Sequence, residues 1–368
     1  MKIGILTFHR SQNYGALLQA KALQDYLKIL GYDVSFIDYW PKYHEDMYKP
    51  FSFEKWLKLK FPNKIYTLIK LIFTYHRLVK RRAKTKEYCN KFLNISKATN
   101  YDVVIYGSDQ IWRKQHQPSF AYYNPVYFGN DYVDTDNKIA YAASMGKIEI
   151  DNIEDRQFIK KHLANFNAIS IREQDLIERL SQEFGIKYQH VCDPVFLLSR
   201  SQWEKHVDKK YIPHEKYILY YRLQPLKETD RMVDELVRQT GYRVIEMRSY
   251  IPFLKYGDRY NFTADAQEFV SLICGAEYVV TSAFHGIAMS IIFERQFFFA
   301  SQKKQANRVV SLFEILGLNN RFSDGRLTRI DTTDIIDYDN VNLKLDEFRE
   351  TSRQWLQKEL NKCEQRIS

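Results

Sequence analysis

Residues 277–286, Glu-Tyr-Val-Val-Thr-Ser-Ala-Phe-His-Gly, run from an apolar strand into Thr281-Ser282 and place His285 beside a glycine, where a helix over 286–294 begins. A strand that stops at Ser or Thr and turns into a helix leaves free backbone N–H groups at the crevice of a parallel sheet, a ready anion site. His285 stands beside that site, and an imidazole can carry a proton near neutral pH. Ser282, His285 and Gly286 can thus hold a phosphate or carboxylate and protonate what is attached to it. A capped helix with a structural histidine is the other reading of the same residues.

The rhythm of this turn recurs along the chain. Strand-like runs at Lys2–Phe8, Val34–Asp38, Val103–Tyr106, Ile139–Ala143, Ala168–Ile171 and Tyr188–Cys192 are followed by a second series at Tyr217–Tyr221, Arg243–Glu246, Tyr278–Thr281 and Phe297–Ala300. Helical patterns lie between them, among them Ala16–Leu30 before Gly31, Gln174–Phe184 before Gly185 and Val309–Leu316 before Gly317. Such alternation predicts an α/β protein with parallel sheets wrapped by helices. The rhythm pauses between Asp193 and His214, so the expected domains are 1–195 and 196–340. A polar helical pattern within the final segment, 341–368, is expected to return to the first domain.

A chain of 368 residues with 45% apolar side chains can fill two ordinary cores. The start, Met1-Lys-Ile-Gly-Ile-Leu-Thr-Phe, enters a strand pattern at once, and no stretch reaches the roughly 18 apolar residues of a membrane span, which predicts a cytoplasmic protein. Cys89, Cys192, Cys274 and Cys363 are scattered without a Cys-x-x-Cys pair, arguing against a disulfide framework or structural zinc. The positive surplus is local. Between Glu54 and Lys91 there are twelve Lys or Arg against two acidic residues, a difference equal to the net +10 of the whole chain. There Trp56, Leu57, Ile65, Leu68, Ile69, Ile72 and Phe73 alternate with Lys58, Lys60, Lys64, Lys70 and Arg77, so 53–92 reads as a basic amphipathic helical segment broken by Pro62. It suits the anionic inner face of a membrane, or else packs on its own domain as a solvated helix. No nucleic-acid motif accompanies the charge, and nucleic acid is not an expected partner.

Ligands of open parallel sheets collect at the C-terminal ends of strands. After the first strand comes Thr7-Phe8-His9-Arg10-Ser11-Gln12-Asn13-Tyr14-Gly15, which is neither Gly-x-Gly-x-x-Gly nor a Walker loop and so predicts no dinucleotide cofactor. After the third comes Gly107-Ser108-Asp109-Gln110, small residues with a carboxylate able to accept a proton. Ser144, Arg172-Glu173 and the Ser282–Gly286 turn follow later strands.

In this order, Asn13-Tyr14-Gly15-Ala16-Leu17-Leu18-Gln19-Ala20, Gly107 to Trp112, Tyr141-Ala-Ala-Ser144, Ile171-Arg-Glu173, Asp193-Pro-Val-Phe-Leu-Leu198, Ser282-Ala-Phe-His-Gly286 and Arg308 through Leu316-Gly-Leu318 resemble the polysaccharide pyruvyl transferase family. The likeness spans about residues 2–322. It implies a GT-B-like pair of Rossmann-like domains facing a cleft, and transfer of the pyruvyl group of phosphoenolpyruvate onto a galactose-type sugar of a capsular or surface polysaccharide precursor. The product would be a pyruvate ketal, with phosphate released and a lipid-linked oligosaccharide as the acceptor. His285 then reads as the acid and Asp109 as the base. Asn13, Gly15, Ser108, Ser144, Arg172, Ser282, Gly286 and Arg308 read as substrate-binding, with neither metal nor cofactor required. Some family members carry Arg-Leu-His where this chain has Ala283-Phe284-His285, so Arg308, Arg172 or a lysine such as Lys303 is expected to supply that charge. Two rival readings remain: a GT-B glycosyltransferase using a nucleotide sugar, and a non-catalytic protein binding anionic glycans or membranes.

Overall fold

The computed structural model describes residues 1–49, 51–117, 119–130, 132–150, 152–223, 225–248, 260–301, 307–323 and 330–367. Strands β1 Lys2–Leu6, β2 Asp33–Ile37, β3 Ile95–Ser96, β4 Val103–Tyr106, β5 Lys138–Ala143, β6 Ala168–Ile171 and β7 Gln189–His190 form one sheet in the order β3-β2-β1-β4-β5-β6-β7. Strands β8 Tyr217–Arg222, β9 Arg243–Arg248, β10 Tyr260–Asn261, β11 Tyr278–Thr281, β12 Gln296–Ala300 and β13 Phe322–Ser323 form a second, ordered β10-β9-β8-β11-β12-β13. Every strand pairing is parallel. Both sheets reverse their strand order at one place, between β1 and β4 and between β8 and β11, which is where open parallel sheets form their crevices. The fold class expected from the sequence, α/β with two Rossmann-like domains facing a cleft, is the one observed.

The strands are apolar because they are covered on both faces: all four residues of β4, for instance, are buried. A single hydrophobic cluster runs from Ile5 and Leu23 on the first sheet through Tyr14 and Phe269 to Val279 and Ile287 on the second. At the join, the Tyr14 ring stacks on Phe269 at 5.0 Å, and its hydroxyl donates to the Ala264 carbonyl at 3.1 Å. Each fully buried side chain of this size contributes about 1.5–3 kcal/mol, so the two sheets are held together by the same kind of core that holds each one.

The final helix, Tyr338–Ile367, crosses back over the first sheet. Its Ser352 hydroxyl accepts from the Cys192 N–H at 2.9 Å, and Trp355 packs 6.3 Å from the Tyr141 ring. The basic segment forms a short helix, Phe53–Leu57, and a long one, Asn63–Phe92, which begins directly after Pro62. The C-terminal half of the long helix stitches the two domains together. Arg81 donates to the Gln12 carbonyl on one side and the Arg248 carbonyl on the other, both at 3.3 Å, and Lys84 pairs with Glu268 at 2.9 Å. Among the described residues no helix is long and apolar enough to cross a membrane, and the four cysteines are free thiols.

Candidate active site

The loops that follow β1, β4, β8 and β11 meet in one cleft, so that the two crevices face each other. The cavity has a volume of about 250 Å³. Its walls include Phe8, Ser11 and Asn13 after β1, Asp109, Gln110 and Arg113 after β4, Tyr221 and Leu223 at the end of β8, and Ala283, Phe284 and His285 after β11.

Two helices start at this cleft. The first, Tyr14–Ile29, is capped by Asn13, whose side chain accepts from the Gly15 N–H at 3.0 Å. The second, Phe284–Ile292, has Ala283 at its cap position and no side-chain cap; the Gly286 N–H turns back to the Ala283 carbonyl at 3.1 Å, which leaves the Phe284 and His285 N–H groups without an acceptor among the described residues. The two starts are pressed together. A Cβ built on Gly15 would lie 2.0 Å from Nδ1 of His285, so only glycine lets the first helix approach the imidazole this closely. Gly286 is tight for a similar reason, since a Cβ there would meet Thr281 Oγ1 at 2.6 Å.

His285 Nε2 is 3.5 Å from Asp193 Oδ2, close enough for an ion pair but without an aligned hydrogen bond. Asp193 is fully buried, and the same carboxylate accepts from the Arg172 guanidinium. Burial alone would raise the Asp193 carboxyl; the charges of His285 and Arg172 outweigh it and hold the group well below the usual carboxylate range. Arg172 is itself buried. It donates to Glu173 Oε1 at 3.2 Å and to Ser108 Oγ at 3.4 Å, and it lies 5.2 Å from the centre of the Phe284 ring. Burial would lower its proton affinity, but Glu173 and Asp193 more than offset this and fix the positive charge. Ser144 completes the group by donating to Glu173 Oε1 at 2.7 Å.

The structure therefore divides the expected site residues. His285, Asp109 and Asn13 line the cavity, and Gly15 and Gly286 shape it. Arg172, Ser108 and Ser144 lie beneath it as a closed polar cluster rather than in its wall, because the arginine's charge is already matched by two carboxylates. Ser282 has a buried hydroxyl with no hydrogen-bond partner among the described residues. Arg308 stands in the helix Asn307–Leu316, and its side chain, like Lys303, lies outside the described residues.

Asp109 adopts a backbone φ of 67°, in the left-handed region that costs a residue with a side chain roughly 1–3 kcal/mol and is concentrated at functional sites. Its own carboxylate steadies the turn by accepting from the Gln110 N–H at 2.8 Å.

Several wall residues carried no signal in the sequence. Arg113 is exposed in the cavity wall, donates only to Gln110 Oε1 at 3.4 Å, and has no carboxylate partner among the described residues. His44, on the helix Lys42–Met47, is buried, and burial followed by the nearby His9 pushes its proton affinity down to a pKa of about 4. It is a neutral imidazole at physiological pH. Trp40 and Tyr48 stack on each other at 6.2 Å and 17° in the cavity wall, and the Tyr48 hydroxyl lies 2.6 Å from Ser11 Oγ.

Residues 13–303 match the model of the polysaccharide pyruvyl transferase family. No curated protein matches the chain. Among solved structures it is similar to UDP-GlcNAc 2-epimerase from Neisseria meningitidis bound to UDP-GlcNAc, with a TM-score of 0.47 and 10% identity over 98% of this chain and 100% of that one. The UDP-GlcNAc 2-epimerase from Methanocaldococcus jannaschii gives 0.46 and 11% over 94% and 92%. E. coli heptosyltransferase WaaC with ADP gives 0.41 and 11% over 95% and 100%.

Proposed function

The chain belongs to the polysaccharide pyruvyl transferase family, and on that premise we propose that it moves the pyruvyl group of phosphoenolpyruvate onto two hydroxyls of a galactose-type sugar, forming a ketal and releasing phosphate. The observation that carries this reading is the composition of the cleft. A histidine backed by a buried carboxylate, an aspartate held in a strained turn and a guanidinium with no carboxylate partner among the described residues share one cavity with a helix start that has no side-chain cap.

Phosphoenolpyruvate carries two anionic groups. The Arg113 guanidinium and the first turn of Phe284–Ile292 are the places in the cleft suited to them. Protonation of the vinyl carbon makes an oxocarbenium-like centre at C2, and one sugar hydroxyl adds there and loses its proton. A second hydroxyl of the same sugar then displaces the phosphate, which leaves with the remaining proton. His285 is the proton donor in this scheme and Asp109 the base for a hydroxyl. Since Nε2 faces Asp193, Nδ1 is the nitrogen left to exchange a proton with substrate, much as a buried carboxylate orients the histidine of a hydrolase triad. No step in this scheme calls for a metal or cofactor.

The acceptor is proposed to be a lipid-linked oligosaccharide of a capsular or surface polysaccharide, met at the anionic inner face of the membrane by the basic segment 53–92. Its support is the exposed face of the helix Asn63–Phe92, where Ile65, Ile69, Ile72 and Phe73 stand in solvent among lysines.

The test is incubation of the protein with phosphoenolpyruvate and candidate acceptors, followed by mass measurement and phosphate assay. A pyruvyl increment on the sugar with stoichiometric phosphate supports the reading. Nucleotide release from a nucleotide sugar, with phosphoenolpyruvate untouched, would replace it with glycosyl transfer.

A further inference from the structure

A second cavity, of about 430 Å³, adjoins the first behind the Trp40 and Tyr48 rings, which line both. Arg10, Arg82 and Lys86 surround it, against one lining carboxylate, Glu45. Arg10 is paired with Asp38 at 2.6 Å, whereas Arg82 and Lys86 are exposed and have no carboxylate partner among the described residues. Two unpaired cations one helical turn apart, beside the amide side chains of Gln12 and Asn90, suit a phosphate or diphosphate group.

The helix that supplies these cations is amphipathic in the unusual sense. Thr74, Arg81 and Thr85 face the body of the protein, while Leu68, Ile72, Tyr75 and Val79 are 39%, 75%, 52% and 42% exposed. Those four positions are followed on the same stripe by Arg82 and Lys86, since the steps from 68 to 86 are 4, 3, 4, 3 and 4 residues. The apolar part of the stripe is about 16 Å long at 1.5 Å per residue, and it ends at the cations of the cavity. A free phosphate would need only the cations, and a nucleotide would leave the stripe uncovered. A ligand with a phosphate head and a hydrocarbon tail fits both.

We propose that this cavity binds the phosphate-bearing end of a single-chain lipid phosphate, with the chain lying along Leu68, Ile72, Tyr75 and Val79 and the attached sugar directed past Trp40 and Tyr48 into the first cavity. This rests on the pyruvyl-transfer reading for the identity of the ligand as the acceptor, and on the geometry alone for the site.

Farnesyl diphosphate, inorganic pyrophosphate and UDP are the probes, titrated by calorimetry into the full chain. The wild-type protein is expected to bind farnesyl diphosphate at least tenfold more tightly than pyrophosphate, and more tightly than UDP. The double variant Arg82→Gln with Lys86→Gln is expected to lose tenfold or more of that affinity. Leu68→Ser with Val79→Ser is expected to reduce farnesyl diphosphate to the level of pyrophosphate. All four positions are exposed, so melting temperatures should be unchanged. Unaltered farnesyl diphosphate binding in the charge variant, or a preference for UDP, would overturn the proposal. Phosphate release from phosphoenolpyruvate with a water-soluble acceptor is followed in parallel and should not change in these variants. Its absence from the wild type would instead remove the pyruvyl-transfer reading and leave the binding result to be judged by itself.

Discussion

The backbone of Gly15, on the first domain, comes so close to the imidazole of His285, on the second, that no room is left between them for a methyl group. The close approach sets the position of the histidine from across the domain boundary. Gly15→Ala must push the ring or the first helix by more than 1 Å, a displacement that can cost about a hundredfold in rate when it misplaces a reacting group. The expected result is a folded protein with strongly reduced turnover in the phosphate-release assay. Wild-type turnover in Gly15→Ala would show that the contact does not position the histidine.

His285→Gln should retain the fold and bind phosphoenolpyruvate within a small factor, yet lose a hundred- to ten-thousandfold in turnover, the usual range for a missing general acid. Glutamine can still hydrogen-bond toward Asp193 but cannot deliver a proton near neutral pH. Melting curve, donor titration and phosphate release together separate the roles: parallel loss of stability and activity would mark the residue as structural.

Arg113→Ala should weaken phosphoenolpyruvate binding by roughly ten- to hundredfold, the worth of one charge-assisted partner, about 1.5–3 kcal/mol, with little change in stability. Arg172→Ala should do the reverse. Its removal leaves Asp193 and Glu173 buried without their cation, at a cost of about 3–5 kcal/mol in stability. Calorimetry and thermal melts on the two variants check the contrast, and an unchanged dissociation constant in Arg113→Ala would move the anion site elsewhere.

The depressed Asp193 carboxyl also gives stability a pH dependence. A carboxyl held low in the folded state binds fewer protons there than in the unfolded chain. Its stabilisation is therefore complete above the ordinary aspartate value, about 3.9, and is lost as pH falls below it toward the folded value. Asp193→Asn should be less stable than wild type at pH 7 and should show a shallower decline of melting temperature between about pH 5 and 2. Parallel declines would mean that other carboxylates govern acid unfolding.

Attachment to anionic lipid should depend on the N-terminal half of the basic segment. Arg81 and Lys84 are committed to Gln12, Arg248 and Glu268, so they are poor candidates for lipid contact despite lying in the most basic run. Changing Lys58, Lys60, Lys64 and Lys70 together to Gln should remove several kcal/mol, at about 1 kcal/mol per charge near the surface. Sedimentation with vesicles containing phosphatidylserine should fall accordingly; equal sedimentation at low salt would exclude this surface.

The parts of the molecule legible in the sequence are those with periodicity or punctuation. The helix Gln174–Phe184 was readable to the residue, because Gly185 ends it in the left-handed conformation, φ 69°. The strand-to-turn signals at Gly107 and Ser282 led to two walls of the cleft. Strands β3, β10 and β13 have two residues each, too few to carry an alternation, whereas β7 lies inside the longer strand-like run Tyr188–Cys192 that the sequence showed. Arg172 read as an open cation because one of the two carboxylates that neutralise it, Asp193, is 21 residues away in sequence, and nothing in the sequence shows that the adjacent Glu173 is buried against it. Arg113 and His44 reach the cleft from an irregular loop and a six-residue helix, where no repeating pattern marks which side chains turn inward.

The outward apolar stripe of Asn63–Phe92 has a further consequence when no lipid is present. Two such stripes can cover each other, and the cationic side chains flanking them then repel and keep the molecules apart. Added salt screens that repulsion while leaving apolar contact intact, so ionic strength acts on the one surface in opposite directions: it loosens the protein from vesicles and draws free copies together.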